Sequence, residues 1–357
     1  YFNLISSKYK INDLNFKSKN NFKFKLNNKL KINEIKFLSK IKLNNLKFTH
    51  NLELIRFFPN IEKDIGIKDH SVTVKISKDK LSIKGSGNIL LQEKEDDIEY
   101  SINKKNNQYK FKTSLLSSNP IIIDFLGYQK DENLKSKINL NGLFIPEKKI
   151  SFNFVSLEEN NNKFIFENLI FDNNFQIIDL EKVTFNYEDK DKKKNILELF
   201  KKKNQFYLNG KSFNADYLIE NLFNSENKNT LNLNKNFDLN IDIKKIYLDK
   251  NYELNMLNGN FNFNNNKVEK ANLEGSFSNE EKFKFTINTK DNNKVTTLFS
   301  DNAEPFLKKY KFIKGFKNGH LDFYSVNNGT RSISTLKIYD FNLKELPILT
   351  KILTLAS

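Results

Sequence analysis

The sequence predicts an all-β fold: an elongated, twisted antiparallel sheet with one apolar face and one polar face. Apolar and polar residues alternate strictly from Phe237 to Ile243, and the pattern recurs in Phe22–Leu26 and Phe283–Ile287. Because successive strand side chains point to opposite faces, each run presents one apolar face. Strand-like runs arrive about every ten residues, as in other all-β folds. Hydrophobic residues make up only 38% of the chain, which favours an extended sheet over a globule with a thick core.

The N-terminal half is predicted to consist of strands joined by Asn-rich turns. Strand pattern covers residues 22–49, with Asn27-Asn28 and Asn44-Asn45 as turns. A short amphipathic stretch follows and ends at Pro59. Further strands are indicated by the apolar positions Val72/Val74/Ile76, Leu81/Ile83, Ile89/Leu91, Tyr109/Phe111/Thr113 and Phe152/Phe154, and by the segments 135–144, 163–171 and 175–187.

A few short helices are predicted to interrupt the sheet. Asn119 and Pro120 supply an N-cap and a first-turn proline, and Gly127 supplies a stop, so a helix is expected near 119–127. Similar signals place helices near 214–223, 301–310 and 346–355. We expect these amphipathic helices to cap an end of the sheet.

The charge balance permits several kinds of partner. The chain has 59 basic and 43 acidic side chains and a net charge of +16, which is compatible with nucleic acid, anionic membrane or acidic ligands. The abundance of Lys, Asn, Ile and Phe indicates AT-rich codon usage as a simpler cause. Proteins that bind single strands place aromatic and basic groups on one surface, whereas the alternation here sends Phe and Lys to opposite faces. No nucleic-acid partner is therefore expected.

The sequence predicts no catalytic site, no metal site and no cofactor. Cysteine is absent, which excludes disulfides and thiolate chemistry. His50, His70 and His320 are isolated in the sequence, and each is predicted to be a surface residue. Gly85-Ser86-Gly87 lacks the pattern of a phosphate-binding loop or a nucleophile elbow and instead indicates a bend in a strand. We therefore expect a protein that is not an enzyme.

A series of motifs in the C-terminal region carries a family resemblance. The segment DNAEPFL at 301–307 precedes GFKNGHL at 315–321, LKIYDF at 336–341 and LPILTKILTLAS at 346–357. The segment GKSFNADYL at 210–218 adds a further match. This order resembles the AsmA-like family of Gram-negative envelope proteins, in its YhdP-like branch. Asn214 stands where that branch has Asp, and Asn318-Gly319 stands where it has paired glycines.

The resemblance implies a lipid-transport function. Members of this family extend into the periplasm from an N-terminal inner-membrane helix and form an apolar β-groove similar to that of bridge-like lipid transfer proteins. By that likeness the chain is expected to shield phospholipid acyl chains between the inner and outer membranes, with envelope proteins as possible partners. Two groove segments are expected, 1–209 with the helix near 119–127 and 210–357 with the other three helices. We also expect the chain to be part of a longer protein that supplies the membrane anchor and further C-terminal strands.

The residues predicted to line the lipid groove lie on three alternating runs. They are Phe237, Leu239, Ile241, Ile243, Phe261, Phe263, Phe283, Phe285 and Ile287. An alternative stays open, in which the apolar face closes on itself as a core. The protein would then be a structural scaffold of the cell envelope that acts through protein partners.

Overall fold

The computed structural model describes residues 10–49, 58–78, 80–132, 134–218, 236–265, 267–291, 293–307 and 316–343. Most of these residues lie in strands, and helical segments are few and short, which confirms the all-β prediction. The chain divides into two compact units, unit 1 (1–192) and unit 2 (193–357). The predicted segment boundary at 209–210 lies within a strand of unit 2. Each helical segment among the described residues is much shorter than the roughly 20 apolar residues that a membrane-spanning helix needs.

Unit 1 is an antiparallel meander. Its strands pair in the order β1-β2-β3-β4-β5-β6-β9-β10-β11, and β12 and β13 follow one another along the far edge of β11. The short strands β7 and β8 form a separate ribbon. The strands are β1 (Lys10–Leu26), β2 (Ile32–Thr49), β3 (Asp64–Ser77), β4 (Lys80–Leu90), β5 (Glu95–Lys105), β6 (Gln108–Ser117), β7 (Ile122–Ile123), β8 (Tyr128–Gln129), β9 (Ser136–Ile145), β10 (Lys149–Glu159), β11 (Asn162–Asp172), β12 (Ile177–Asp179) and β13 (Lys182–Glu188).

Asparagine pairs play two different roles in this meander. Asn106 and Asn107 both have positive φ angles, 49° and 58°, and join β5 to β6 in a two-residue hairpin turn. The turn predicted at Asn44-Asn45 is wrong, because β2 runs through both residues. A register shift after Asn15 of β1 accommodates them, and Asn44 donates a hydrogen bond to the Asn15 side chain at 3.2 Å.

The helix predicted near 119–127 is also largely wrong. Only Asp124–Leu126 forms a single 3-10 turn, which ends at Gly127 with φ 62°. Asn119 does not cap this turn. Its side-chain amide is fully buried and donates hydrogen bonds to the Lys94 carbonyl oxygen and to Asp96. The predicted N-cap side chain therefore makes tertiary contacts instead of capping a helix.

Unit 2 contains one parallel strand pair in an otherwise antiparallel sheet. β15 and β16 run parallel, with Phe206 opposite Leu239 and Leu208 opposite Ile241, which corrects the purely antiparallel prediction. The other neighbours pair antiparallel in chain order. The strands are β14 (Lys194–Lys202), β15 (Gln205–Asn214), β16 (Phe237–Tyr247), β17 (Glu253–Asn264), β18 (Lys267–Phe277), β19 (Lys282–Lys290), β20 (Asn293–Ser300), β21 (Phe316–Asn327) and β22 (Ser332–Leu343).

The predicted helices of unit 2 are described only in part. The helix near 301–310 appears as α1 (Glu304–Leu307), and the Asn302 side chain accepts a hydrogen bond from the Glu304 amide at 3.2 Å. Residues 216–218 are helical, and the remainder of the helix predicted near 214–223 lies outside the described residues. The helix predicted near 346–355 lies wholly outside them.

Gly85 and Gly87 make room for side chains of neighbouring strands. A Cβ atom on Gly87 would lie 2.1 Å from the His70 ring, and one on Gly85 would lie 2.4 Å from the Tyr100 ring. His70 is therefore 2% exposed, so its predicted surface position is wrong. Its Nε2 lies 3.1 Å from the Asn88 carbonyl oxygen. His320 is exposed as predicted, and His50 lies outside the described residues.

The burial of His70 predicts a pH-dependent stability. Burial lowers the pKa of the His70 imidazole below its ordinary value of 6.5, so folding favours the neutral ring. The unfolded chain then binds more protons below pH 6.5, and stability is lost as the pH falls from there towards the folded-state pKa. The melting temperature of a His70→Gln variant should fall less than that of the wild type between pH 7 and 5. Equal slopes for the variant and the wild type would contradict the prediction.

Candidate functional site

The nine predicted groove residues lie on one face of the unit 2 sheet. Phe237 is opposite Phe263, and Leu239 is opposite Phe261. The intervening strand β18 links them to β19, since its Ala271 pairs with both Phe261 and Ile287. Directly paired residues share a face, so cross-strand register extends the alternation of each strand into a continuous apolar face.

Aromatic contacts hold this face together at its β15–β17 end. The Phe237 and Phe263 rings stack with their centroids 4.5 Å apart. Phe206 meets Phe237 edge-on at 5.4 Å, and Phe261 lies 5.9 Å from Phe263. Phe206 was not among the predicted residues. The parallel pairing of β15 with β16 adds it to the face, and sequence alternation could not have shown that pairing.

Exposure varies along the strands of this face. Ile243, Phe283 and Ile287 are buried, with 3%, 9% and 8% of their surfaces exposed. The other six predicted residues are half-buried. A buried cluster closes the end where Phe283 lies. It consists of Ala303, Leu307 of α1, and Phe316 and Leu321 of β21. The six half-buried side chains therefore belong to the accessible part of the face.

Unit 1 carries a second apolar face, which was not among the predicted sites. Along one row, Ile83 of β4 pairs with Ile102 of β5, and Ile102 pairs with Phe111 of β6. Phe111 contacts Phe152 of β10 at 5.6 Å, and Phe152 contacts Phe171 of β11 at 6.0 Å. All five side chains are half-buried. The alternating pairs Leu81/Ile83 and Tyr109/Phe111 were the signal that could have identified this face.

A bulge in β10 changes the predicted face of one aromatic residue. The register between β9 and β10 shifts between Phe152 and Phe154. Phe152 lies on the apolar face opposite Gly142, while Phe154 pairs with Asn141 and Glu167 on the polar face. Val155 takes the next apolar position opposite Leu140. The prediction that Phe152 and Phe154 share one face is therefore wrong.

One end of the unit 1 apolar face is closed by a buried core. Ile65, Leu91 and Leu115 form one cluster there. The segment between β6 and β9 adds Tyr128, whose ring lies 4.7 Å from Phe164. We call this region the closed end of unit 1. Away from it, most of the described aliphatic and aromatic side chains on the apolar face are half-buried.

Buried polar side chains organise the closed end. Asp96 is 2% exposed and accepts hydrogen bonds from the Ser117 hydroxyl at 2.8 Å, the Ser118 amide at 2.8 Å and the Asn119 side chain at 2.9 Å. These bonds tie the end of β6 and the following connection to the start of β5. They satisfy polar groups that would otherwise be costly to bury.

A second set of hydrogen bonds fixes the return of the same connection. The Tyr128 hydroxyl donates to Glu159 at 2.6 Å, and the Asp131 amide donates to the other Glu159 oxygen at 2.9 Å. Burial and the bond to Glu159 raise the pKa of Tyr128 far above its usual range. Burial lowers the pKa of Lys130, whose ammonium donates to the Ser118 carbonyl oxygen at 3.3 Å. These groups support the fold of the closed end.

The described residues contain no cluster of three or more His, Asp or Glu side chains placed to hold a metal ion. Comparison of the chain with family models, curated proteins and solved structures gives no match.

Proposed function

We propose that this chain is a non-enzymatic lipid-binding segment of an AsmA-like envelope protein. Phospholipid acyl chains would lie along the apolar faces, and their headgroups would stay in water at the edge of the sheet. The C-terminal motifs between 301 and 357 support the family. The setting that follows from the family is the periplasm, with an inner-membrane anchor in the full-length protein and transport towards the outer membrane.

One observation carries the lipid-binding proposal: each unit has a continuous apolar face on which neighbouring side chains, such as Ile83 and Ile102 in unit 1 and Leu239 and Phe261 in unit 2, are half-buried. The unit 1 face spans nine strands, namely β2 to β6, β9 to β11 and β13. Neighbouring strands lie about 4.8 Å apart, so the face extends over roughly 40 Å across the strands. Contiguous apolar patches of more than a few hundred Å² mark binding sites for lipid, membrane or protein. A lipid chain is apolar along its length and therefore fits a strip of this kind.

The alternative function is a scaffold that acts through protein partners. The buried clusters at the closed end of unit 1 and around α1 favour it, because they show that each unit buries some core of its own. Under this alternative, the half-buried faces would be protein-binding surfaces, and acyl chains would have no preferred place on them.

Native mass spectrometry of the full chain tests the lipid proposal. The purified protein should carry phospholipid, seen as discrete mass additions of phospholipid size. After delipidation, it should take up phospholipid again from vesicles. A delipidated, folded chain that acquires no phospholipid would contradict the proposal and leave the scaffold function as the better explanation.

A further inference from the structure

A basic groove crosses the polar face of unit 1, opposite the apolar face. It runs perpendicular to the strands between two rows of paired side chains from β1 to β6 and β9. Two depressions of about 420 and 650 Å³ occupy the groove and share Ser71 and Thr73 in their linings. One row is Lys19, Lys40, Thr73, Lys84, Ser101, Lys112 and Asn141, and the other is Lys17, Lys42, Ser71, Ser86, Glu99, Ser114 and Asn139.

Four lysines surround the first depression, and we call them the lysine square. Lys17 lies directly opposite Lys42, and Lys19 lies directly opposite Lys40. Like charges placed opposite each other on neighbouring strands destabilise a sheet. Acidic partners do not offset this repulsion, because none of the four lysines forms an ion pair with any residue that the structure describes.

The same strand pair shows what an available carboxylate does. Lys25 of β1 lies 3.2 Å from Glu34 of β2, at the end of the β1–β2 hairpin. Near the closed end of the polar face, Glu95 pairs with Lys68 at 2.6 Å. Within the two rows of the groove, Glu99 is the one carboxylate. The groove therefore carries an excess of positive charge that the described residues do not neutralise.

The side chains of the groove match the groups that bind phosphate. Lysine ammonium groups and Ser, Thr and Asn side chains are among the groups that contact phosphate oxygens in proteins. Opposite Cβ atoms lie about 5 Å apart, and positions i and i+2 of a strand lie roughly 6.7 Å apart, so the lysine square encloses a space of about the size of one phosphate group. Ser71 and Thr73 of β3 lie beside it and offer hydroxyl donors.

The groove does not suit the stacking of nucleic-acid bases. Tyr100 contributes to the lining of the second depression, but its ring lies against Gly85 and His70 on the apolar face. The side chains that project into the two rows are Lys, Ser, Thr, Asn and Glu. Single-strand binding depends on aromatic platforms as well as on positive charge.

We propose that the lysine square is a binding site for a phosphate-bearing group, carried either by a phospholipid headgroup or by a soluble phosphate compound. The Ser and Asn side chains further along the groove would hydrogen-bond the polar remainder of that ligand. This site lies on the face opposite the proposed acyl-chain surface and does not depend on it. Variants on the two faces therefore test the two proposals separately.

The experiment compares two quadruple variants of the full chain. The first changes the lysine square, Lys17→Gln, Lys19→Gln, Lys40→Gln and Lys42→Gln. The second removes the same charge from exposed lysines of unit 2, Lys244→Gln, Lys267→Gln, Lys270→Gln and Lys290→Gln. Binding of inorganic pyrophosphate is measured by calorimetry, and binding of phosphatidylglycerol and phosphatidylcholine vesicles by co-sedimentation.

The square variant is expected to lose at least about tenfold in affinity for pyrophosphate or for phosphatidylglycerol vesicles, whereas the unit 2 variant stays within about twofold. Loss with pyrophosphate identifies a soluble phosphate ligand, and loss with vesicles alone identifies a lipid headgroup. The square variant should also melt no lower than the wild type, because it removes like-charge pairs. Equal losses in both variants, no binding by the wild type, or binding of an oligonucleotide alone would overturn the proposal.

Discussion

Replacing Leu239 and Ile241 with aspartate is expected to abolish lipid binding by unit 2 while the sheet stays folded. Both side chains are half-buried on the apolar face of β16, opposite Phe261 and Gly259 of β17. A carboxylate placed against an acyl chain must lose its hydration, which costs several kcal/mol when no partner compensates it. Because about 1.4 kcal/mol corresponds to a factor of ten, lipid occupancy of the unit 2 face should fall by at least about tenfold, while the unit 1 face keeps its lipid. Native mass spectrometry of lipid bound to the variant and to the wild type measures the loss.

A variant with the same added charge on the other face is the control. Asn240→Asp and Asn272→Asp place two carboxylates on the polar face of β16 and β18, where Asn240 pairs with Asn260 and Asn260 pairs with Asn272. This control should bind lipid as the wild type does. If both variants retain lipid equally, acyl chains do not lie on the apolar face and the proposed surface is wrong.

The melting temperature of the Leu239→Asp/Ile241→Asp variant also separates the two candidate functions. On an accessible apolar face the new carboxylates contact water, and the melting temperature should fall by only a few degrees. In a closed core they would be buried without partners and would unfold unit 2, since such changes belong to the most destabilising class. Collapse of the fold would therefore favour the scaffold function.

Replacing Asp96 with alanine is expected to destabilise unit 1 by about 3 kcal/mol, because three hydrogen-bonded donors lose a charged acceptor. The donors are the Ser117 hydroxyl, the Ser118 amide and the Asn119 side chain, and Asp96 itself is 2% exposed. For a unit of this size the melting temperature should fall by roughly 6–12 °C. Thermal unfolding of the full chain followed by circular dichroism measures the shift.

Asp97 provides a matched control for this prediction. It is the next residue on β5, but it is exposed on the polar face. Asp97→Ala should change the stability by less than about 0.5 kcal/mol, as exposed substitutions usually do. The stability of Asp96→Asn should lie between the stabilities of Asp96→Ala and Asp97→Ala. The asparagine amide keeps one acceptor oxygen, but its NH₂ group places a donor among the three existing donors. Similar melting temperatures for Asp96→Ala and Asp97→Ala would show that the buried hydrogen bonds do not hold the closed end.

The candidate site was more predictable than the connections between strands. Alternation alone placed Phe237, Leu239 and Ile241 on one side of β16, because side-chain direction in a strand is a local property. It failed at Phe154, where a bulge inserts one residue and reverses the faces beyond it. It also could not show that β15 adds Phe206 to the same face, because a parallel pairing depends on where the chain returns.

Local sequence patterns were less reliable for residues whose side chains contact a segment far away in the chain. Asn119 and Pro120 have the pattern of a helix start, yet the Asn119 side chain forms hydrogen bonds with Lys94, which precedes β5, and with Asp96 of β5. His70 looked isolated in the sequence, yet Gly87 of the neighbouring strand leaves a space that buries it. In both cases the partner lies more than 15 residues away, so no local pattern records it.

The sequence by itself determined that the chain is all-β and that each strand has an apolar and a polar side. These properties follow from a two-residue period that every strand shares. The sequence-based prediction that Phe and Lys lie on opposite sides fails at Lys201, which pairs with Phe206 on the apolar face. Only the tertiary structure decided which strands adjoin, which ends of the apolar faces are closed, and that Lys17, Lys19, Lys40 and Lys42 form a square. The physical reason is that cross-strand register joins residues far apart in the chain, and packing and hydrogen bonding between those residues select the register.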